Sequence, residues 1–417
     1  MRHGLVIIFV ALAATLHADV VRILDEDREA AQARVDVIQQ AQNGITMLYF
    51  LARDDRITLS VLALLRDARR RGVSDVRVIV DGSFHRIPKD VLAHLRDEGV
   101  QVRVYHPLSL RHPSWLLRRM HEKVIVADSA RYITGGRNLG EAYFGLAKKK
   151  NFLDRDVYIE GESALDANRH FEALWSSEHV AELHLRSSPD EKRLAAERLD
   201  RVLAELVSTG FIELETKRNW SDDGLRVDSV RYLRDPIRRG DGVRVAVPLM
   251  QILDSAKTSI VIESPYFVPS TALRRLLRQK LAEGVDVIVL TNSLRSTDGL
   301  LPQGAYLKYR RRLARAGVQF HEYKGPSVLH AKSIIVDGKT ALIGSYNIDP
   351  RSQYLNSEVM CATEDEDVAR ELRASIDGHM QNAWAIRRSP RDPHVSRATA
   401  FRLWIVRLLL PIVEPQL

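Results

Sequence analysis

One motif occurs twice in this chain with unchanged spacing. The first copy is His121-Glu122-Lys123, then Asp128, then Gly135-Gly136-Arg137-Asn138. The second is His330-Ala331-Lys332, then Asp337, then Gly344-Ser345-Tyr346-Asn347. Both read H-x-K-x4-D-x6-G-[GS]-x-N. A gap-free repeat of this kind marks an internal duplication, so each copy must build the same local backbone.

The flanks fall into register once the histidines are aligned. Apolar strands at 45–51 and 259–263 are followed by helical patterns at 59–71 and 273–283, each closed by a glycine, Gly72 or Gly284, suited to a left-handed cap. β-Branched strands follow at 76–80 and 285–289, then helices ending at Gly99 and Gly317, then strands at 100–105 and 318–323. Each half ends on a strand (157–159; 358–361) and a helix (163–175; 365–384). Strands alternating with helices predict an α/β fold: two tandem repeats, each a mixed, mostly parallel sheet flanked by helices, related by a pseudo-two-fold axis. The expected divisions are a signal-like or anchor segment at 1–18, a first repeat at 19–180, a helical linker and loop at 181–245, a second repeat at 246–386, and an amphipathic tail at 387–417.

Residues i and i+2 of a strand share a face, so His121 projects with Lys123 and His330 with Lys332. If the halves face each other, two imidazoles and two ammonium groups converge, which suits a phosphodiester. The lysines neutralise its non-bridging oxygens. Asn138 and Asn347 can donate further hydrogen bonds, with Ser345 beside them, and Gly135, Gly136 and Gly344 let backbone approach the phosphate. One imidazole can attack phosphorus while the other moves protons. The repeat symmetry does not say which does which. No metal and no organic cofactor is required, because the lysines supply the positive charge. Each histidine needs a carboxylate to hold its tautomer. Chain position nominates Asp156 and Glu358. Asp128 and Asp337 complete the motif, and turn scaffolding suits their position.

These paired motifs resemble those of the phospholipase D superfamily across both halves. Arg118-Arg119-Met120 before the first motif, Leu139-Gly140-Glu141-Ala142-Tyr143-Phe144-Gly145 after it, Ser264-Pro265-Tyr266-Phe267-Val268-Pro269, Thr291-Asn292-Ser293-Leu294, Asp349-Pro350-Arg351-Ser352 and Leu355-Asn356-Ser357-Glu358 are similar to the bacterial cardiolipin synthase branch, in its C-type subgroup. The resemblance implies phosphatidyl transfer through a phosphohistidine, with His121 as nucleophile and His330 as acid and base. It implies phospholipid substrates, with phosphatidylglycerol and phosphatidylethanolamine as candidates. Hydrolysis to phosphatidic acid is the nearest alternative. Cleavage of nucleic acid and an inactive membrane scaffold fit less well: stacking platforms for bases are not evident, and both motif copies are intact.

A net charge of +8 suits an anionic partner. The single cysteine, Cys361, excludes an internal disulfide and a cysteine-based zinc site. Arg2 and His3, the apolar run at 5–16, and His17-Ala18 read as an export signal, or else an anchor or buried strand. The expected place is therefore a membrane, on the periplasmic or exported side, or peripherally at an inner membrane. Two segments suit a bilayer interface: Trp115-Leu116-Leu117-Arg118-Arg119 and the stretch 401–410 around Trp404. Oligomeric state is left open.

Overall fold

The computed structural model describes residues 18–386 apart from 110, 216, 217 and 239. The signal-like start, except Ala18, and the tail at 387–417 lie outside the described residues.

Two large sheets carry the fold. The first has nine strands, in the order Leu225–Val227, Asp19–Leu24, Asp156–Glu160, Arg131–Gly135, Lys123–Ala127, Gly44–Tyr49, Asp75–Asp81, Gln101–Tyr105 and Val180–Glu182. The second has eight, in the order Arg231–Arg234, Val359–Glu364, Thr340–Gly344, Ser333–Val336, Ser259–Glu263, Asp286–Asn292, Gln319–Tyr323 and Ala383–Ile386. Apart from the first sheet's outermost strand, the two orders correspond strand for strand. The duplication read from the motif is therefore a duplication of topology.

Within the two large sheets, parallel pairing is confined to Gly44–Tyr49, Asp75–Asp81 and Gln101–Tyr105, and to their counterparts in the second sheet. The other pairings in these two sheets are antiparallel, so each sheet is mixed, and "mostly parallel" describes only its three adjacent parallel strands. The cause is connection length. Lys123–Ala127 returns as Arg131–Gly135 through a tight turn, as Ser333–Val336 does into Thr340–Gly344, and a crossover helix cannot fit there.

Three apolar clusters lie in layers. One packs the helices Asp27–Gln40, Arg56–Arg70, Lys89–Asp97 and Pro189–Ser208 against the outer face of the first sheet. Another packs Ala246–Asp254, Thr271–Ala282 and Leu300–Ala316 outside the second. The third is shared by the inner faces of both sheets and by the helices Ser163–Trp175 and Glu366–Gln381, with Val124, Tyr132 and Val157 joining Ile335, Ile343 and Cys361. Neither half buries its inner face alone, which fixes the two motifs relative to each other.

The segment expected as a linker belongs to these layers. The helix Pro189–Ser208 starts on a capping box, Ser188 with Glu191, and buries Ala195, Leu199, Leu203 and Leu206. That spacing makes one apolar stripe, which packs on Arg56–Arg70 and Lys89–Asp97. Arg231–Arg234, inside the expected linker and loop, is an edge strand with Tyr232 buried between the sheets. Trp384, expected at a helix end, lies in the edge strand Ala383–Ile386. The expected helix caps hold: Gly72 and Gly284 have φ of 102° and 87°.

Candidate active site

Each histidine lies just before its strand, Lys123–Ala127 or Ser333–Val336, and is tied to the opposite repeat. The His121 N–H donates to the Ser357 carbonyl at 2.9 Å, and the Ser357 N–H donates to the Arg119 carbonyl at 2.8 Å. The His330 N–H donates to the Leu153 carbonyl at 2.7 Å. Here Phe152–Leu153 and Val328–Leu329 form a short parallel pair, while Met120 and Ser357 form a single parallel bridge at the other histidine.

The side chains cross over in the same way. His121 Nδ1 lies 3.0 Å from Glu358 Oε2, and His330 Nδ1 lies 2.5 Å from Asp154 Oδ2. Each ring is thus held by a carboxylate of the other repeat, with all four groups buried. Glu358 was expected. Asp156 was expected and does not serve: Asp154 does. Strand register explains why. Gly135 is paired with Asp156, and Gly344 with Met360, so the counterpart of Glu358 lies two residues before Asp156. Asp156 instead meets Arg34 at 2.7 Å and Arg137 at 3.5 Å in a buried ion-pair network.

Both lysines reach back to the carbonyl of their own histidine. Lys332 Nζ also lies 2.8 Å from His330 Nδ1 and 3.2 Å from Nε2. Burial lowers the Lys123 ammonium to about 7, with Lys332 adding to the effect and Glu358 and Asp154 opposing it. Burial and Lys332 likewise lower His330 against the pull of Asp154, and Lys123 also acts on it. His121 is lowered to about 4 by burial, opposed by Glu358 and reinforced by Lys123 and then Lys332. Each repeat's lysine therefore acts on the other repeat's histidine, as convergence on one site requires. Aromatic rings close the walls. Phe50 stands 4.9 Å from His121 and 5.1 Å from Lys123 Nζ, while Tyr143 and Phe152 stand 5.4 and 5.1 Å from His330.

The remaining expected residues divide. Asn138 and Asn347 are both buried at the site. Asn138 Oδ1 accepts the Leu51 N–H at 3.2 Å, and Asn347 Oδ1 has no protein partner. Ser345 donates to Glu358 at 2.5 Å, so its hydroxyl serves the carboxylate and not a phosphate. Gly135 and Gly136 likewise make room for protein: a Cβ on Gly135 would fall 2.3 Å from Asp156 Oδ1, and one on Gly136 would fall 2.0 Å from Asp154 Oδ1. Asp128 and Asp337 stand apart. Each accepts backbone N–H groups at the start of the neighbouring strand, Asn43 at 2.7 Å and Thr258 at 2.7 Å. They sit five residues beyond the lysines, roughly 16 Å along the strand, where they scaffold the turn.

The sequence did not reveal the roles of several supporting residues. Asp81 accepts the Met120 N–H and pairs with Arg119 at 3.0 Å, and in the second repeat Asn292 brackets Leu329 through both backbone groups. Both clamp the residue before a histidine. Glu122, the variable residue of the motif, pairs with buried His170 at 2.8 Å and accepts from the Ser357 hydroxyl. Arg155 crosses between repeats to Glu263 and to Ser333.

A family model described as "Cardiolipin synthase, PLD-like domain" matches residues 35–175 and 249–380. The chain belongs to the cardiolipin synthase family of phospholipase D-like phosphatidyltransferases. Cardiolipin synthase C of Escherichia coli K12 is 30% identical over 412 residues, covering 87% of this chain and 85% of the relative. A cardiolipin synthase A of Pseudomonas syringae pv. syringae is 27% identical over 404 residues, covering 94% of this chain and 75% of the relative. An uncharacterised Helicobacter pylori protein is 26% identical over 402 residues, covering 87% and 79%. The crystal structure of phosphatidylserine synthase from Haemophilus influenzae superposes with a TM-score of 0.71 at 14% identity, covering 96% of this chain and 97% of that one, which shows the shared fold. The two spans of the family model each contain one histidine motif, and substrates of the family are phospholipids.

Proposed function

We propose that this enzyme joins two molecules of phosphatidylglycerol, or one of phosphatidylethanolamine and one of phosphatidylglycerol, through a phosphohistidine on His121. His121 Nε2 attacks phosphorus. The N–P bond forms as the P–O bond to the donor's headgroup alcohol breaks, and His330 gives that alkoxide its proton. The acceptor's glycerol hydroxyl then loses its proton to His330 and attacks phosphorus, and the N–P bond breaks. Lys123 and Lys332 neutralise the non-bridging oxygens throughout.

The observation that carries this reading is the crossed pair of carboxylates. Each engages Nδ1 and so directs Nε2 to the chemistry, with Lys332 Nζ standing 3.2 Å from Nε2 of His330. The two carboxylates also differ in a way that assigns roles. Glu358 shares its charge with Ser345, Ser352 and Asn356 as well as His121. Its hold on an imidazolium is diluted, so His121 stays neutral and nucleophilic. Asp154 accepts from His330 and from the backbone N–H of Arg155. Its charge is concentrated on His330, which suits the proton carrier. Rings at both histidines exclude water from the phosphohistidine, which favours an alcohol acceptor. We place the enzyme at a membrane on the exported side.

Product analysis tests the reading. Purified enzyme on mixed phosphatidylglycerol and phosphatidylethanolamine vesicles should release glycerol or ethanolamine and accumulate cardiolipin. Phosphatidic acid as the sole lipid product would replace transfer by hydrolysis. Inertness toward lipid with cleavage of DNA would overturn both.

A further inference from the structure

A surface beside the first motif has a composition that the chemistry does not use. Five large apolar side chains are exposed there: Leu108 at 75%, Leu116 at 56%, Leu117 at 42%, Phe84 at 41% and Tyr354 at 57%. They adjoin the site directly. Phe84 packs on Phe50 with centroids 4.4 Å apart, and Phe50 packs on His121 at 4.9 Å. Exposed Phe84 is therefore one ring away from the reacting histidine. On the other side, the Leu117 carbonyl accepts from Arg351 at 3.0 Å, which ties the segment to the second repeat near Tyr354.

The leucines stand on a fixed base. Trp115 stacks on His106 at 4.6 Å and on His112 at 4.3 Å. Arg119 is buried, pairs with Asp81, and donates to the Trp115 carbonyl. A segment held this firmly has no need to expose leucines for folding, and exposed apolar groups clustered at a site mark an interaction surface. Its charge states the partner. Residues 107–119 carry Arg111, Arg118 and Arg119 and no aspartate or glutamate, and Arg111 and Arg118 are exposed. Leucines flanked by cations complement an anionic lipid surface, with apolar tips below the headgroups and guanidinium groups at phosphate depth.

We propose that Leu108, Arg111, Leu116, Leu117 and Arg118, with Phe84 and Tyr354, dock on an anionic phospholipid bilayer and open the histidine pair onto it. The proposal rests on the phospholipid reading above and adds where the membrane sits. A lipid headgroup drawn past Phe84 reaches His121 while its acyl chains stay among the leucines.

The test separates docking from chemistry. Leu116→Asp with Leu117→Asp should weaken binding to phosphatidylglycerol-containing vesicles by at least about tenfold, and turnover on them in proportion. Turnover of dihexanoyl phosphatidylglycerol, dissolved as monomers, should stay at the wild-type rate. Wild-type protein should bind phosphatidylcholine vesicles more weakly than anionic ones. A second variant, Leu117→Trp, reports position without added charge: its fluorescence should be quenched by lipids brominated near the glycerol backbone. Unchanged vesicle binding in the double variant, or an unquenched Trp at position 117, overturns the proposal. Unchanged vesicle binding with a shift in sedimentation would assign the surface to a second copy and overturn it too. If the double variant also loses monomeric turnover, the quenching result decides. Inactivity of the wild type on monomeric lipid would count against the enzymatic reading and not against docking.

Discussion

Asp154→Asn and Asp156→Asn make the same change two residues apart and should fail in different ways. Asp154 is fully buried with Oδ2 2.5 Å from His330 Nδ1. Burial pushes its carboxyl up, yet His330 and Lys332 hold it well below the usual carboxylate range. Asparagine keeps the shape and removes the charge that stabilises a protonated His330. Losing a buried charge-assisted bond costs about 2–4 kcal/mol where the imidazolium forms. At 1.36 kcal/mol per decade, that is a fall of roughly 30- to 1,000-fold in kcat. Asp156 touches neither histidine. It neutralises Arg34 at 2.7 Å inside the first repeat. Asp156→Asn should therefore cost about 3–5 kcal/mol of stability while the folded enzyme keeps its pH profile. Denaturant midpoints and kcat across pH, measured on both variants, separate the two. A wild-type kcat in Asp154→Asn would refute the crossed-carboxylate assignment. So would a matching kinetic loss in Asp156→Asn without loss of stability.

Three further outcomes follow from the same geometry. Gly136→Ala places a Cβ 2.0 Å from Asp154 Oδ1, so it should copy the kinetic defect of Asp154→Asn, whereas Ser345→Ala removes one of several donors to Glu358 and should cost only about 1 kcal/mol of transition-state stabilisation. Folding takes in His121 neutral, lowered from 6.5 to about 4. Within that window the unfolded chain binds a proton that the folded chain refuses, so stability should fall as pH drops through it, and thermal scans of His121→Asn should show a shallower fall. Arg155→Ala leaves buried Glu263 with His379 as its remaining ionic partner and should lose about 3 kcal/mol in urea titration, more than the Arg155→Met, Glu263→Met double variant.

The legible part of the fold is what the duplication forces. Identical spacing around His121 and His330 required identical strand, turn and strand, and the structure repeats the topology well beyond the motif. The antiparallel part of each sheet was harder to read, because alternating helices suggest crossovers while the two short hairpins are carried by turns at Asp128 and Asp337. Both aspartates cap the adjacent strand, and this structural demand explains their fixed place in the motif. Glu358 was readable because it directly precedes an apolar strand. Asp154 was not: Asp154 and Asp156 flank Arg155 and look equivalent in the chain, and only pairing of Gly135 with Asp156 tells them apart. The same limit hid Asp81, Asn292 and Glu122, whose partners are distant in sequence. Alignment of Glu358-Val359-Met360-Cys361 with Asp154-Arg155-Asp156-Val157 would have found the carboxylate.

The most direct test of two histidines working on one phosphorus is to trap the covalent intermediate. In His330→Ala the step that protonates the leaving alcohol is crippled, so a donor with an acidic leaving group, such as a p-nitrophenyl phosphodiester, should release p-nitrophenol once and leave the phosphoryl group on the protein. Peptide mapping at alkaline pH should place it on His121, and His121→Ala should carry none. Modification of His330 in the wild type, or full transfer by His121→Ala, would contradict the account.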